Sequence, residues 1–183
     1  DQHGQDLQAI MDNLELNDRQ VLISSQKISP DALAAMYNMC DCTVNISDAE
    51  GFGLATLESL ACGTPIVVNM TGGLQEQITD GAEWFGFPLY PTSKSIIGSQ
   101  QVPYIYEDRT SKDQFVSAMF KMYSLSKEER RAMGEKGRQH VITNYNFRNF
   151  QQQWVDLMTS VYEEHGSWQT RTNYNGIYFA EVA

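Results

Sequence analysis

Two glutamates eight positions apart, Glu50 and Glu58, bracket a short turn made of Gly51, Phe52, Gly53 and Leu54. Glycine lets a ligand approach the backbone closely. If such a turn opens a helix, the unbonded N–H groups of the first helical turn favour an anion. A carboxylate can only accept, and each hydrogen bond to a charged acceptor contributes about 1.5–3 kcal/mol. The vicinal hydroxyls of a ribose would supply two such donors. Thr71, Gly72 and Gly73 form a second turn that would aim a further set of amides at the same place. Each feature has a plainer reading when taken alone. The glutamates could be surface carboxylates, Glu58 could cap nearby backbone, and either glycine turn could be only a turn. Their coincidence in one strand–turn–helix unit is the informative signal.

The flanking sequence predicts the elements that would position these residues. Leu7, Ile10, Met11 and Leu14 recur at helical spacing, so residues 5–16 read as a helix. Val21, Leu22 and Ile23 read as a short buried strand. Ser29 as N-cap and Pro30 in the first turn start a second helix that runs to about Met39. Residues 42–46 read as a strand, 54–62 as a helix stopped by Gly63, and 65–68 as a β-branched strand covered on both faces. On the 54–62 helix Glu58 falls about 40° from Leu54, at the edge of the apolar arc, which predicts a partly desolvated carboxylate. A short helix ends near Thr79. Residues 81–103 read as a long irregular stretch that could tune a ligand pocket or be a surface insertion. A last strand is expected near 104–106, and helices follow, with capping-box starts at Ser111 and Ser126 and a third helix over about 147–164. Phe115, Met119 and Met122 read as a core stripe, and 127–131 with 136–138 as a solvated face. The histidines His3, His140 and His165 are expected at exposed positions outside the turns. Strands alternating with helices at short loops specify an α/β domain with a parallel sheet. In such sheets ligands bind at the carboxyl ends of strands, where both glycine turns lie.

Composition narrows the function. The chain has 183 residues, with 13 basic against 23 acidic side chains and a net charge of −10. That balance argues against nucleic acid or an anionic membrane as partner, since both need a basic footprint. It leaves room for a small anion held by backbone dipoles. Cys40, Cys42 and Cys62 show neither a CxxC pair nor zinc spacing, so reduced thiols in a cytoplasmic protein are expected. No P-loop, Gly-x-Ser-x-Gly elbow or His-Glu-x-x-His motif occurs.

The stretch 50–68, EGFGLATLESLACGTPIVV, followed by TGGLQE at 71–76, closely resembles the family-4 retaining glycosyltransferases of the GT-B fold. The likeness extends upstream through 28–37 and Cys40–Asp41, and downstream through the Gly134, Gly137, Arg138 and Tyr145 pattern between Arg130 and Phe147. The resemblance implies the carboxyl-terminal, donor-binding half of a GT-B enzyme, a Rossmann-like parallel sheet with helices on both faces, over residues 1–165, with 166–183 a tail of unplaced structure. It implies a nucleoside-diphosphate sugar as donor substrate, no cofactor and no metal, and the chain has no Asp-x-Asp triplet. By position, Glu50 would contact the donor-sugar hydroxyls at the reacting centre. Gly51, Phe52, Gly53 and Leu54 would offer amides to the sugar and distal phosphate. Glu58 would hold the ribose, Thr71, Gly72 and Gly73 would line the phosphate pocket, and the base would lie against Lys27, Ile28 and Ser29. Two strands that the family places ahead of these residues, with an Arg and a Lys for the diphosphate, are not in the sequence. Weak donor binding, no turnover, and a sheet edge needing the amino-terminal domain of a parent or a second copy by strand exchange are therefore expected. A non-catalytic nucleotide-binding or scaffold module of the same fold is the alternative. An NAD-linked oxidoreductase ranks last, because the third glycine of Gly-x-Gly-x-x-Gly is missing after Gly53.

Overall fold

A computed structural model of the chain describes residues 5–170. His3 and most of the 166–183 tail lie outside the described residues. The chain divides into two units between Leu33 and Ala34.

In the first unit, helix α1 (Leu7–Asn13) begins where the Asp6 carboxylate accepts a hydrogen bond from the Ala9 amide at 3.0 Å. Helix α2 (Pro30–Met39) begins here as its sequence predicts, with the Ser29 hydroxyl accepting from the Ala32 amide at 3.3 Å, and its residues from Ala34 on, Tyr37 among them, belong to the second unit. Val21, Leu22 and Ile23 do not form the expected buried strand. They adopt no ladder and stay exposed, Leu22 by 83%. A β-rich run needs a neighbour to satisfy its amides and carbonyls, and none pairs with it among the described residues.

The second unit continues with β1 (Thr43–Asn45), α3 (Leu54–Ala61), β2 (Ile66–Asn69), α4 (Leu74–Gln77), β3 (Gly86–Leu89), β4 (Ser93–Ile96), β5 (Tyr106–Arg109), α5 (Lys112–Ser124), α6 (Lys127–Asn144) and α7 (Phe147–His165). Strands β1, β2 and β3 pair in that order and in parallel, with Val44 opposite Val67 and Val67 opposite Phe87. Every residue of β2 is buried. Alternation then splits the core in two. Ile66 and Val68 pack with Leu60 of α3, Leu74 and Ile78 around α4, and Phe85. Val67 faces the other side with Leu89, Ala118 and Met122, where Phe115 and Met119 join it, so the expected core stripe of α5 is in place. The sheet is thus covered by helices on both faces.

The stretch 81–103 is more ordered than its composition suggests. It contains β3, which extends the parallel sheet, and β4, which pairs antiparallel with β5. The final strand starts at Tyr106 rather than Tyr104. Helix α6 opens with a complete capping box, the Ser126 hydroxyl accepting from the Glu129 amide while the Glu129 carboxylate accepts from the Ser126 amide. It packs on α3 with Gly137 facing Leu60, and on the turn after α3 with Gly134, where a Cβ would stand 1.9 Å from the Gly63 carbonyl oxygen. No described helix is long and apolar enough to cross a membrane.

Candidate functional site

The loops after β1 and β2 both leave the carboxyl edge of the parallel sheet. Asn69, at the end of β2 and fully buried, ties them together. Its amide donates to the Ser47 carbonyl at 3.0 Å, and its side-chain oxygen accepts from the Thr110 hydroxyl. Asn45, at the end of β1, bonds the Thr56 hydroxyl of α3 and accepts from the Ser47 amide. The 46–53 loop is held from outside as well. Arg109 pairs with the Asp48 carboxylate at 2.6 Å, and the Asp108 amide donates to the Asp48 carbonyl.

The two glycine turns meet backbone to backbone. The Gly73 amide donates to the Gly51 carbonyl at 3.1 Å. Gly72, at φ +49°, lies so close to Glu50 that a Cβ there would stand 1.6 Å from the Glu50 carbonyl oxygen. Only glycine satisfies both the dihedral and the space. Buried Gln77 of α4 donates to the Phe52 carbonyl at 2.5 Å, while its own Oε1 is shielded without a partner among the described residues. Gly53, at φ +84°, is the N-cap of α3, and no side chain caps that helix. The Glu50 carboxylate is half-buried and has no ion-pair or hydrogen-bond partner among the described residues. Glu50, Gly51, Phe52, Gly53, Gly72 and Gly73 are therefore one constellation, flanked by buried Thr71 and exposed Leu54.

Glu58 departs from expectation in its burial. It is exposed rather than partly desolvated, because α3 turns this position outward. It caps no backbone; instead its Oε2 accepts from the Tyr37 phenol at 3.1 Å. Burial foremost, then the Glu58 hydrogen bond and charge, push the Tyr37 pKa up to about 12. Lys27, Ile28 and Ser29 belong to the first unit, where all three are exposed and Ser29 is engaged as the α2 cap.

Several supporting contacts reach the turns from distant sequence. Phe52 meets Tyr145 edge-on at 6.0 Å between ring centres. Tyr145 meets His140, which lies 4.8 Å from the Phe85 ring. His140 is thus half-buried rather than solvent-exposed. Tyr145 and His140 both reach the Glu76 carbonyl, and burial, then the Glu76 charge, raise the Tyr145 pKa. The Gly134, Gly137, Arg138 and Tyr145 pattern is therefore a brace behind the turns, with Arg138 bonded to the Ala61 carbonyl at the end of α3. Arg130 and Arg138 are engaged rather than simply solvated.

The turns offer backbone amides for an anion, and Glu50 offers a carboxylate for hydroxyl donors. Residues 46–54 and 70–77 include no Lys or Arg, so any anion would be held chiefly by dipoles.

Residues 2–140 match the family described as "Glycosyl transferases group 1". Over 60 residues, 33% of this chain and 13% of the other, the sequence is 42% identical to a D-inositol 3-phosphate glycosyltransferase of Acidothermus cellulolyticus. It is 35% identical over 72 residues, 39% of this chain and 18% of the other, to an N-acetyl-alpha-D-glucosaminyl L-malate synthase of Bacillus anthracis. The fold matches sucrose-phosphate synthase from Thermosynechococcus elongatus with a TM-score of 0.64 at 23% identity, over 86% of this chain and 34% of that one. These matched stretches span well under two thirds of each relative.

Proposed function

The chain belongs to the group 1 glycosyl transferases, and on that footing we propose that it supplies the donor-binding part of a retaining enzyme that moves a sugar from a nucleoside-diphosphate sugar to an acceptor. The observation that carries this reading is the backbone contact between the two glycine turns beside an unpaired Glu50 carboxylate. Amides at the start of α3 and that of Gly72 bind the diphosphate, because N–H groups without carbonyl partners lower the energy of an anion held there. Glu50 accepts hydrogen bonds from the donor-sugar hydroxyls and, as a nearby negative charge, stabilises the cationic character that grows at the anomeric carbon as the phosphate leaves.

Glu58 accepts from the ribose hydroxyls. The Tyr37 phenol occupies one lobe of Oε2 and fixes the carboxylate's orientation, leaving Oε1 for the ligand. The reaction needs no metal on this reading, since amide dipoles and Glu50 supply the electrostatics. Three free thiols suit a cytoplasmic setting. The test is Glu50→Ala in the enzyme as it occurs in the cell, assayed against a panel of nucleotide sugars. Transfer should fall by at least about a hundredfold, the scale of a lost charge-stabilising group. Unchanged rates would remove Glu50 from the reacting centre.

A further inference from the structure

At the opposite, amino edge of the parallel sheet lies a second cleft, of about 540 Å³, bordered by the segment 62–65 that leads into β2 and by the start of α6. Lys127, Arg130, Arg131 and Arg138 line it against only Asp41 and Glu135. Four cations against two carboxylates is a local excess of positive charge in a chain whose net charge is −10. The excess is not used up internally. Lys127 and Arg131 have no ion-pair or hydrogen-bond partner among the described residues. Arg130 bonds the Leu125 carbonyl and an exposed Asp41 at 3.0 Å, yet its Nε is shielded from solvent with no acceptor. A donor shielded from water without a partner is destabilising. Lys127, Arg130 and Arg131 also stand in the first turns of α6, the helix end that disfavours cations. An anion seated in the cleft would offset both costs.

We propose that this cleft binds a phosphorylated small molecule through its phosphoryl group, at a site separate from the glycine turns. Guanidinium groups suit phosphate because their paired N–H donors match its oxygens, and Lys127 adds a mobile charge. The volume holds a phosphoryl group with part of the body that carries it. Because the site lies at the other edge of β2 from the donor loops, it can be occupied while the donor is bound.

The test is amide chemical-shift mapping of the whole chain, titrated with inorganic pyrophosphate at constant ionic strength. Saturable shifts are expected at Gly63, Thr64 and 127–131. The affinity read there should weaken about tenfold in Lys127→Gln/Arg131→Gln, two exposed side chains whose loss leaves the fold intact. Shifts at the glycine turns should be unchanged by that variant, which separates this site from the donor site. Absence of saturation at Gly63 and Thr64, equal affinity in the double variant, or the same shifts with sodium chloride alone would overturn the proposal. Vesicles of phosphatidylserine and phosphatidylcholine form the second arm, and the chain should stay in the supernatant on sedimentation. Sedimentation that the double variant abolishes would overturn the free-ligand reading in favour of a lipid headgroup.

Discussion

Gly72 is the residue on which the two turns depend. A methyl group there would overlap the Glu50 carbonyl oxygen at 1.6 Å and would sit on a backbone at φ +49°. Gly72→Ala should therefore separate the turns, lowering stability by about 1–3 kcal/mol and weakening nucleotide binding by at least about tenfold. Denaturation and calorimetry on the same samples check both. Tyr37 carries a different kind of prediction. Its pKa is raised to about 12 in the folded state, from an ordinary value of 10.0. A raised phenol adds stability that is fully present below the unfolded value and disappears as pH climbs through the folded one. Tyr37→Phe should thus lose less stability than the wild type between pH 10 and 12, as urea midpoints would show. In the active enzyme it should raise KM for the donor and leave kcat nearly unchanged, since the phenol only orients Glu58. The residues of the turns were legible because their chemistry is contiguous in sequence. Asn69, Gln77 and His140 were not, because each acts across the fold on a backbone group that any residue could present, and Arg109 was not, because its Asp48 partner lies far away in the sequence.

At the scale of elements, α6 holds α3 in place by close approach. Gly134→Ala puts a Cβ 1.9 Å from the Gly63 carbonyl oxygen, a fixed backbone atom. Helix α6 and the turn after α3 must part, and a loss of about 1–3 kcal/mol is expected in thermal unfolding. The start of α6 has a pH signature. Hydrogen bonds from the Ser126 amide and hydroxyl hold the Glu129 carboxyl below its usual range. A lowered carboxylate contributes stability above its unfolded pKa and loses it as pH falls through the folded one. Glu129→Gln should flatten the stability profile below the ordinary value of 4.5. Elements were legible where pattern and partner agree, as in β2 and α5. Strand β3 was hidden by Gly86 and by Pro88, which cannot donate to a ladder and so suits an edge strand. The β4–β5 pair was hidden by its polarity, since Lys94 faces Asp108 across the ladder instead of an apolar pair. The run at 21–23 fails in the opposite sense, having strand-like residues and no neighbour.

For the whole molecule, charge and sheet edges govern behaviour. A nucleoside diphosphate adds at least two negative charges to a chain at −10, and a helix N-terminus returns only about 0.3–1 kcal/mol. Calorimetry with UDP and with GDP should give affinities weaker than micromolar; submicromolar binding would refute the charge argument. Strand β1 forms the sheet edge and exposes Val44, so the chain alone should self-associate through that edge. A strict monomer by light scattering would exclude strand exchange. On the proposed function, the paired glycine turns grip the donor's diphosphate. Amide shift mapping with UDP and with GDP tests it most directly. The largest saturable shifts are expected at Gly51, Phe52, Gly53, Leu54, Gly72 and Gly73. Saturable binding of either nucleotide that leaves those six amides unmoved would contradict it.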